Sequence, residues 1–219
     1  MLLPVLLVAT VLALPAPARA DAPGSDTRAG RDAAIAGLKA GSPGRRAEAI
    51  VWFAHNGLPA DDEEVLPRLA DDDPFVRALA DRAVWMMWGR SGDPAIDALM
   101  ERGAGEVAAG RYEAAIATYG EVIRREPSFA EGWNKRATVY FLDGDDARSL
   151  ADCDQVMKRN PHHYGALSGY GHIYFRQQRY DKAIDAWRRA LAINPNLESL
   201  EDGIRAAERL RAQARKDSV

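Results

Sequence analysis

Three prolines, Pro127, Pro161 and Pro195, stand 34 residues apart. A fixed interval of this length means that one supersecondary unit is repeated, and that each unit buries its apolar face only by stacking on its neighbours. Further columns keep the same register. Gly110 and Gly144 lie seventeen residues before their prolines, Tyr112 and Tyr180 fifteen before, and Ala115, Ser149 and Ala183 twelve before. Tyr119, Cys153 and Trp187 lie eight before, and Leu99, Trp133 and Leu167 twenty-eight before. Each column has a physical reason. Glycine breaks the chain between two antiparallel helices, small residues let the second helix approach the first, and large ones fill the gap between them. Proline ends the second helix, because the residue before it is driven out of the helical region.

Apolar residues recur three and four apart between these breaks, which predicts helices over 95–109, 111–125, 129–142, 145–159, 163–177 and 180–193. The columns resemble the tetratricopeptide repeat (TPR), a hairpin of two helices, with three units over 95–195. The chain departs from that pattern at Asp146, where a tyrosine is usual, and at Arg102 and Arg136, where an apolar residue is usual. These departures predict a middle repeat packed less well than its neighbours. Residues 196–219 read as a capping helix with Leu200, Ile204, Ala207 and Leu210 on one face.

Upstream, residues 38–57 align with 69–88 at an offset of 31, pairing Pro43 with Pro74, Arg46 with Arg77, Ala47 with Ala78 and Ala49 with Ala80. The run from Asp73 through Arg77 resembles the start of a second helix in HEAT-type hairpins, with Asp73 as N-cap and Pro74 in the first turn. Residues 31–94 are therefore expected to form HEAT-like hairpins. The segment 84–88 is apolar all round and carries Trp85, Met86, Met87 and Trp88, so it should be covered on several sides and join the two halves in one core. The expected fold is all-α, and the resemblance implies a right-handed α-solenoid.

The first twenty residues have another character. Residues 2–14 are almost unbroken apolar chain, followed by Pro15, Pro17 and the small-x-small triplet Ala18-Arg19-Ala20. This reads as a signal peptide cut after Ala20, with 21–30 as a linker, and it predicts a periplasmic or secreted protein. An apolar run of this length is too short to cross a bilayer, so no stable membrane insertion is expected once the leader is removed.

The formal charge is −3, and removal of Arg19 with the leader takes it to −4, which gives no field to gather nucleic acid. Residues 61–73 hold seven acids and one Arg, and 203–219 hold five bases and two acids; both read as solvated surface. His55, His162, His163 and His172 are scattered, and neither a metal-ligand spacing nor a nucleotide loop is present, so no metal, cofactor or catalytic residue is assigned. Cys153 sits at helical spacing from Leu150, Val156 and Met157 and reads as a small core residue. The short segments Ser168-Gly169 and Gly171-His172 read as parts of a helix that faces open space.

In the TPR resemblance the first helix of each unit lines the concave side of the superhelix. The inward positions are Asp97, Met100, Glu101, Ala104, Val107 and Ala108 in the first unit. In the second they are Glu131, Asn134, Lys135, Thr138, Phe141 and Leu142, and in the third Gly165, Ser168, Gly169, His172, Phe175 and Arg176. Phe141, Leu142 and Phe175 stand out as anchors for a partner side chain. TPR proteins that clamp the acidic C-termini of chaperones need Lys, Asn and Arg at set columns, which here hold Met100, Ala104, Lys135, Gly165 and Gly169, so the clamp is not assembled. The resemblance thus implies a non-enzymatic periplasmic interaction module or assembly factor that takes a protein or peptide segment in its groove. The alternative is a structural subunit docked permanently in an envelope complex, with Trp85, Trp88 and the second-helix faces buried against its neighbours.

Overall fold

The computed structural model describes residues 28–217. The signal peptide and its cleavage site lie outside these residues, and the expected linker overlaps them only at 28–30, which are already helical. The described chain runs α1 (Arg28–Leu38), α2 (Pro43–Asn56), α3 (Asp62–Val65), α4 (Pro74–Trp88), α5 (Pro94–Ala108), α6 (Tyr112–Arg125), α7 (Ala130–Leu142), α8 (Asp146–Arg159), α9 (Tyr164–Arg176), α10 (Tyr180–Ile193) and α11 (Glu198–Asp217). Short 3-10 turns, Pro59–Asp61 and Leu66–Ala70, flank α3.

The repeat frame survives with helix ends displaced by about one residue. Its three hairpins are α5/α6, α7/α8 and α9/α10, and α11 packs on α10. A complementary pair of columns sets how closely each hairpin closes. Gly103, Ala137 and Gly171 lie on the first helices, and Tyr119, Cys153 and Trp187 occupy the facing column on the second. A Cβ on Gly103 would lie 2.5 Å from Tyr119 Cε1, and one on Gly171 would lie 2.2 Å from Trp187 Nε1. Large rings therefore demand glycine opposite, whereas the smaller Cys153 stands where alanine does. The helix around Gly171 consequently does not face open space, because Trp187 fills that side.

In the middle repeat the polar departures Arg136 and Asp146 both have partners. Arg136 and Asp152 form a two-pronged ion pair at 2.8 and 2.9 Å, Ser149 Oγ donates to the Ala137 carbonyl at 2.8 Å, and Asp146 accepts from Gln177 of the third repeat at 3.1 Å. Trp133 is not a core residue. It is half-exposed between the guanidinium groups of Arg136 and Arg159, at 5.2 and 4.7 Å, and donates to the Pro127 carbonyl. Burial at 3% exposure pushes the Cys153 thiol up to about 12, which removes it as a nucleophile at neutral pH.

In the N-terminal part α1/α2 is a regular hairpin, but the second hairpin has a broken first arm. Pro59 and Pro67 divide 59–70 into short turns, since proline has no amide to donate. The offset of 31 is visible in the bonding all the same. Ser42 and Asp73 cap α2 and α4, Arg46 donates to the carbonyls of Ala40 and Gly41, and Arg77 donates to those of Asp71 and Asp72.

Each of the three repeat hairpins turns through the same C-terminal cap. The amide three residues beyond the first helix reaches back to a carbonyl five residues earlier: Arg111 to Glu106, Asp145 to Tyr140 and Arg179 to Tyr174, at 2.9, 2.8 and 2.8 Å. The residue before that amide takes a left-handed conformation, with φ of 71° at Gly110, 84° at Gly144 and 60° at Gln178. Gln178 carries a Cβ that opposes this conformation by about 1–2 kcal/mol, while glycine at the position loses about 0.5–1 kcal/mol more chain entropy on folding. Gln178→Gly should therefore raise stability by about 0.5–1 kcal/mol, and Gly144→Gln should lower it by a similar amount, as read from urea midpoints at constant m-value. Equal midpoints for all three proteins would refute this reading of the turn.

Candidate functional site: the inner face of the repeats and the helix laid against it

Helix α4 does not stack on the first repeat as its place in the chain suggested. Its apolar face goes to α2 and to the third repeat, so one core cluster runs from Ala34 through Trp88 to Tyr164, Trp187 and Leu200. A separate cluster holds Ile96, Met100, Tyr119, Phe129 and Val139 of the first two repeats.

Two tryptophans make the junction. Trp85 meets Tyr164 and His163 edge-on at 5.4 and 5.6 Å, and a Cβ on Gly165 would lie 2.5 Å from Trp85 Cη2. Glycine at this inward position is what admits the indole. Trp88 stacks on His163 at 4.4 Å with an 18° tilt, and its Nε1 donates to Asp62 at 2.8 Å. The turns between repeats complete the seat. Asn160 and Asn194 occupy one column, and each accepts through its side chain from the backbone amide two residues on. Their amide groups then donate outward, Asn160 to Asp62 at 3.3 Å and Asn194 to Asp81 at 2.7 Å. Asp81 also accepts from the Tyr164 hydroxyl at 2.8 Å, and Asn196 bonds both Arg77 and the Leu69 carbonyl. Two successive turns of the array thus each hold a carboxylate of the N-terminal part.

Behind this junction lies a closed polar network. His163, fully buried, accepts the Ala166 amide at Nδ1, so its proton sits on Nε2 and is donated to Glu131 at 3.0 Å. Glu131 accepts from Asn134 and pairs with Lys135, each at 3.0 Å. Burial alone would raise the Glu131 carboxyl, but the Lys135 charge and the His163 hydrogen bond outweigh it and hold the group at about 2.

The ten residues expected to form one partner surface therefore divide. Glu131 and Asn134 lie inside, because the network above saturates them. Ser168 returns its hydroxyl to the Tyr164 carbonyl, and Lys135 is held on Glu131. Phe175 packs against Trp187 and Tyr180 at 5.6 and 5.7 Å, which makes it part of the third hairpin's core edge and not a free anchor. An open strip remains, consisting of Thr138, Phe141, Leu142, His172 and Arg176. In it the Arg176 guanidinium lies 4.1 Å over the Phe141 ring and pairs with Asp146, while the His172 ring stands 6.5 Å from Phe141. In the first repeat Glu101, Ala104 and Ala108 are exposed, but Met100 is buried. Asp97 accepts from Ser91 and is occupied locally.

Sequence reasoning missed Asp62, Asp81, Asn160 and Asn194 as junction residues, since Asp62 reads first as part of a helix start, Asp81 as a solvated helix position and the two asparagines as turn residues. The signal that could have found the junction was the all-round apolar character of 84–88. Trp85 and Trp88 are covered by this chain's own third repeat, which removes the observation that favoured a subunit docked through them.

Matches to known proteins follow the same frame. Family models described as tetratricopeptide repeat match residues 100–156 and 164–197. These segments are tetratricopeptide repeats. A TPR repeat-containing protein of Rhizobium etli is 32% identical over 123 residues, which cover 56% of this chain and 60% of that protein. The Hsp70-Hsp90 organizing protein 1 of Glycine max is 31% identical over 108 residues, covering 49% of this chain and 19% of its own length. The chain thus spans three-fifths of the first relative and about a fifth of the second. Among solved structures, the first TPR of Spaghetti bound to an HSP90 peptide superposes with a TM-score of 0.52 at 25% identity, covering 53% of this chain and 93% of that one. The TPR domain of P58(IPK) reaches further, over 84% of this chain and 55% of that one, with a TM-score of 0.51 at 19% identity, and shares the fold.

The Glu131 network makes a pH prediction. A carboxyl held below its ordinary 4.5 contributes stability that is fully present above 4.5 and is lost as pH falls toward about 2. Between about pH 5 and pH 3 the parent should lose more stability than Glu131→Gln, which has no such carboxyl to protonate. Identical pH slopes in urea unfolding would show that Glu131 is not held by this network.

Proposed function

We propose that the chain is an exported, non-enzymatic interaction module, working in the periplasm as a binding or assembly factor. It receives a protein or peptide segment along the open strip of the inner face. The observation that carries this reading is the strip itself. Phe141 and Leu142 are half-exposed on the first helix of the second repeat, beside exposed Thr138, His172 and Arg176, and α4 leaves that end of the face uncovered. An aromatic ring under a guanidinium, rimmed by polar groups, suits a segment with an apolar anchor and a few hydrogen-bonding positions.

The relatives support a peptide as the partner class, since one of them is seen with an HSP90 peptide. The acidic chaperone tail itself is a poor candidate here. Gly165 and Gly169 offer no cation at the columns that need one, Trp85 lies against Gly165, and Lys135 is engaged by Glu131. Export is supported by the apolar run 2–14 and the Ala18-Arg19-Ala20 triplet, and the mature chain is expected to begin at Asp21.

The test is capture of the C-terminally tagged protein from its native envelope, with N-terminal sequencing and mass spectrometry of what it holds. Phe141→Ala combined with Arg176→Ala should weaken the captured partner about thirtyfold, the equivalent of about 2 kcal/mol for an interface anchor. Phe175→Ala should instead lower stability through lost packing on Trp187. Unchanged capture by the strip variant would refute the strip, and an N-terminus upstream of Asp21 would refute cleavage after Ala20.

A further inference from the structure

Helix α4 carries more apolar surface than α2 and the third repeat cover. Phe75, Leu79, Arg82 and Met86 recur four, three and four residues apart, which sets them on one stripe of the helix. Phe75 is 65% exposed, and with Met86 and Val51 it makes three of the five large apolar side chains left exposed among the described residues. Val51 belongs to the matching stripe of α2. Shifted back by the offset of 31, the four positions fall on Gly44, Glu48, Val51 and His55, all of them exposed.

The two helices run parallel and in that register. At their starts Arg46 forms a two-pronged ion pair with Asp71, and at their ends Arg90 donates to the carbonyls of Ala54 and Gly57. Met87 also closes on Gly57, where a Cβ would lie 2.6 Å from its sulfur. The stripes therefore lie side by side, with Gly44 level with Phe75, Glu48 with Leu79, Val51 with Arg82 and His55 with Met86. Their charges are not used inside the chain. Among the described residues neither Glu48 nor Arg82 makes an ion pair or a hydrogen bond through its side chain.

We infer that this face is a dimer interface, and that its occupant is a second copy of the chain. The two stripes carry each other's complements. A two-fold axis laid along the helices sets α4 of each copy over α2 of the other. Phe75 then lies over Gly44 of the second copy, where a Cβ would meet only Ser42 Oγ within 4 Å, so the ring has room. One turn along, Arg82 reaches Glu48 across the interface and Leu79 meets Val51, and the two-fold makes each contact twice. Met86 closes the far end over His55, whose ring is held on the Val51 carbonyl through Nδ1 at 2.8 Å. A partner of another sequence would have to supply an acid for Arg82, a base for Glu48 and space for Phe75 at set spacings, all of which this face already contains. Helices of 14 and 15 residues are about 21 Å long and, packed about 9 Å apart, form a face near the lower end of specific interfaces. Such a face supports a weak dimer whose population depends on concentration. It uses none of the open-strip residues, so the two surfaces stand or fall separately.

The test is sedimentation velocity on the protein as its cells process it. The parent should pass from monomer to dimer between about 1 and about 200 µM. Phe75→Ser should weaken the dimer about tenfold or more and keep the helical circular-dichroism spectrum, since the ring is exposed in the single chain. Arg82→Glu sets like charges against each other twice in the dimer and should weaken it by about the same factor. Arg82→Glu combined with Glu48→Arg should bring the affinity back to within about threefold of the parent, a rescue that requires both charges to meet in one self-paired interface. A parent that stays monomeric at every concentration would overturn the assignment and leave the stripes to another occupant. Dimers indifferent to Phe75→Ser, or not restored by the charge exchange, would overturn it equally.

Discussion

The stack of Trp88 on His163 is the contact on which the rest of the molecule depends. His163 caps α9 through Nδ1, holds Glu131 through Nε2 and offers its ring to Trp88, so one side chain couples the third repeat, the second repeat and the N-terminal part. Such a residue has no spare capacity. Loss of the stack exposes the Asp62 and Asn160 contacts beside it, and loss of the Glu131 bond leaves a buried carboxylate short of a partner, which costs more than the bond contributes when intact. The N-terminal hairpins are thereby built into the array and do not hang from it as a separate domain.

That junction has a functional consequence. A TPR array offers its inner face along its whole length, yet here α4 covers the beginning of α9 and the network behind it fills the beginning of α7. Along α7 and α9 the distal strip is what stays open. The same sequence feature, glycine at 165, removes a chaperone-type cation and creates the seat for Trp85. The chain's own helix α4 therefore occupies part of the inner face of the third repeat.

Much of the fold was legible in the sequence because proline, glycine and small-residue columns report the hairpin geometry directly. Pro161 marks the end of α8 wherever it stands, and Ala183 is small because α9 passes against it. The site was less legible. Periodicity places Glu131 and Phe175 on the inward side, but it cannot tell an inward residue that meets solvent from one that meets His163 or Trp187. The junction was illegible for a related reason. Nothing in the local pattern of Asp81 or Asn194 reveals that residues 113 apart share a hydrogen bond. The αL turn at Gln178 escaped notice because the column was read from its glycines alone.

Through these contacts residues 76–88 and the third repeat should unfold as one cooperative unit. Native-state hydrogen exchange measures this directly, since amides opened by one unfolding event share one free energy. The most protected amides of α4, α9 and α10 should exchange within about 1 kcal/mol of one another and converge on a single denaturant dependence. Exchange of α4 at a free energy several kcal/mol below that of α9 and α10 would contradict it, and would make the N-terminal hairpins a detachable appendage.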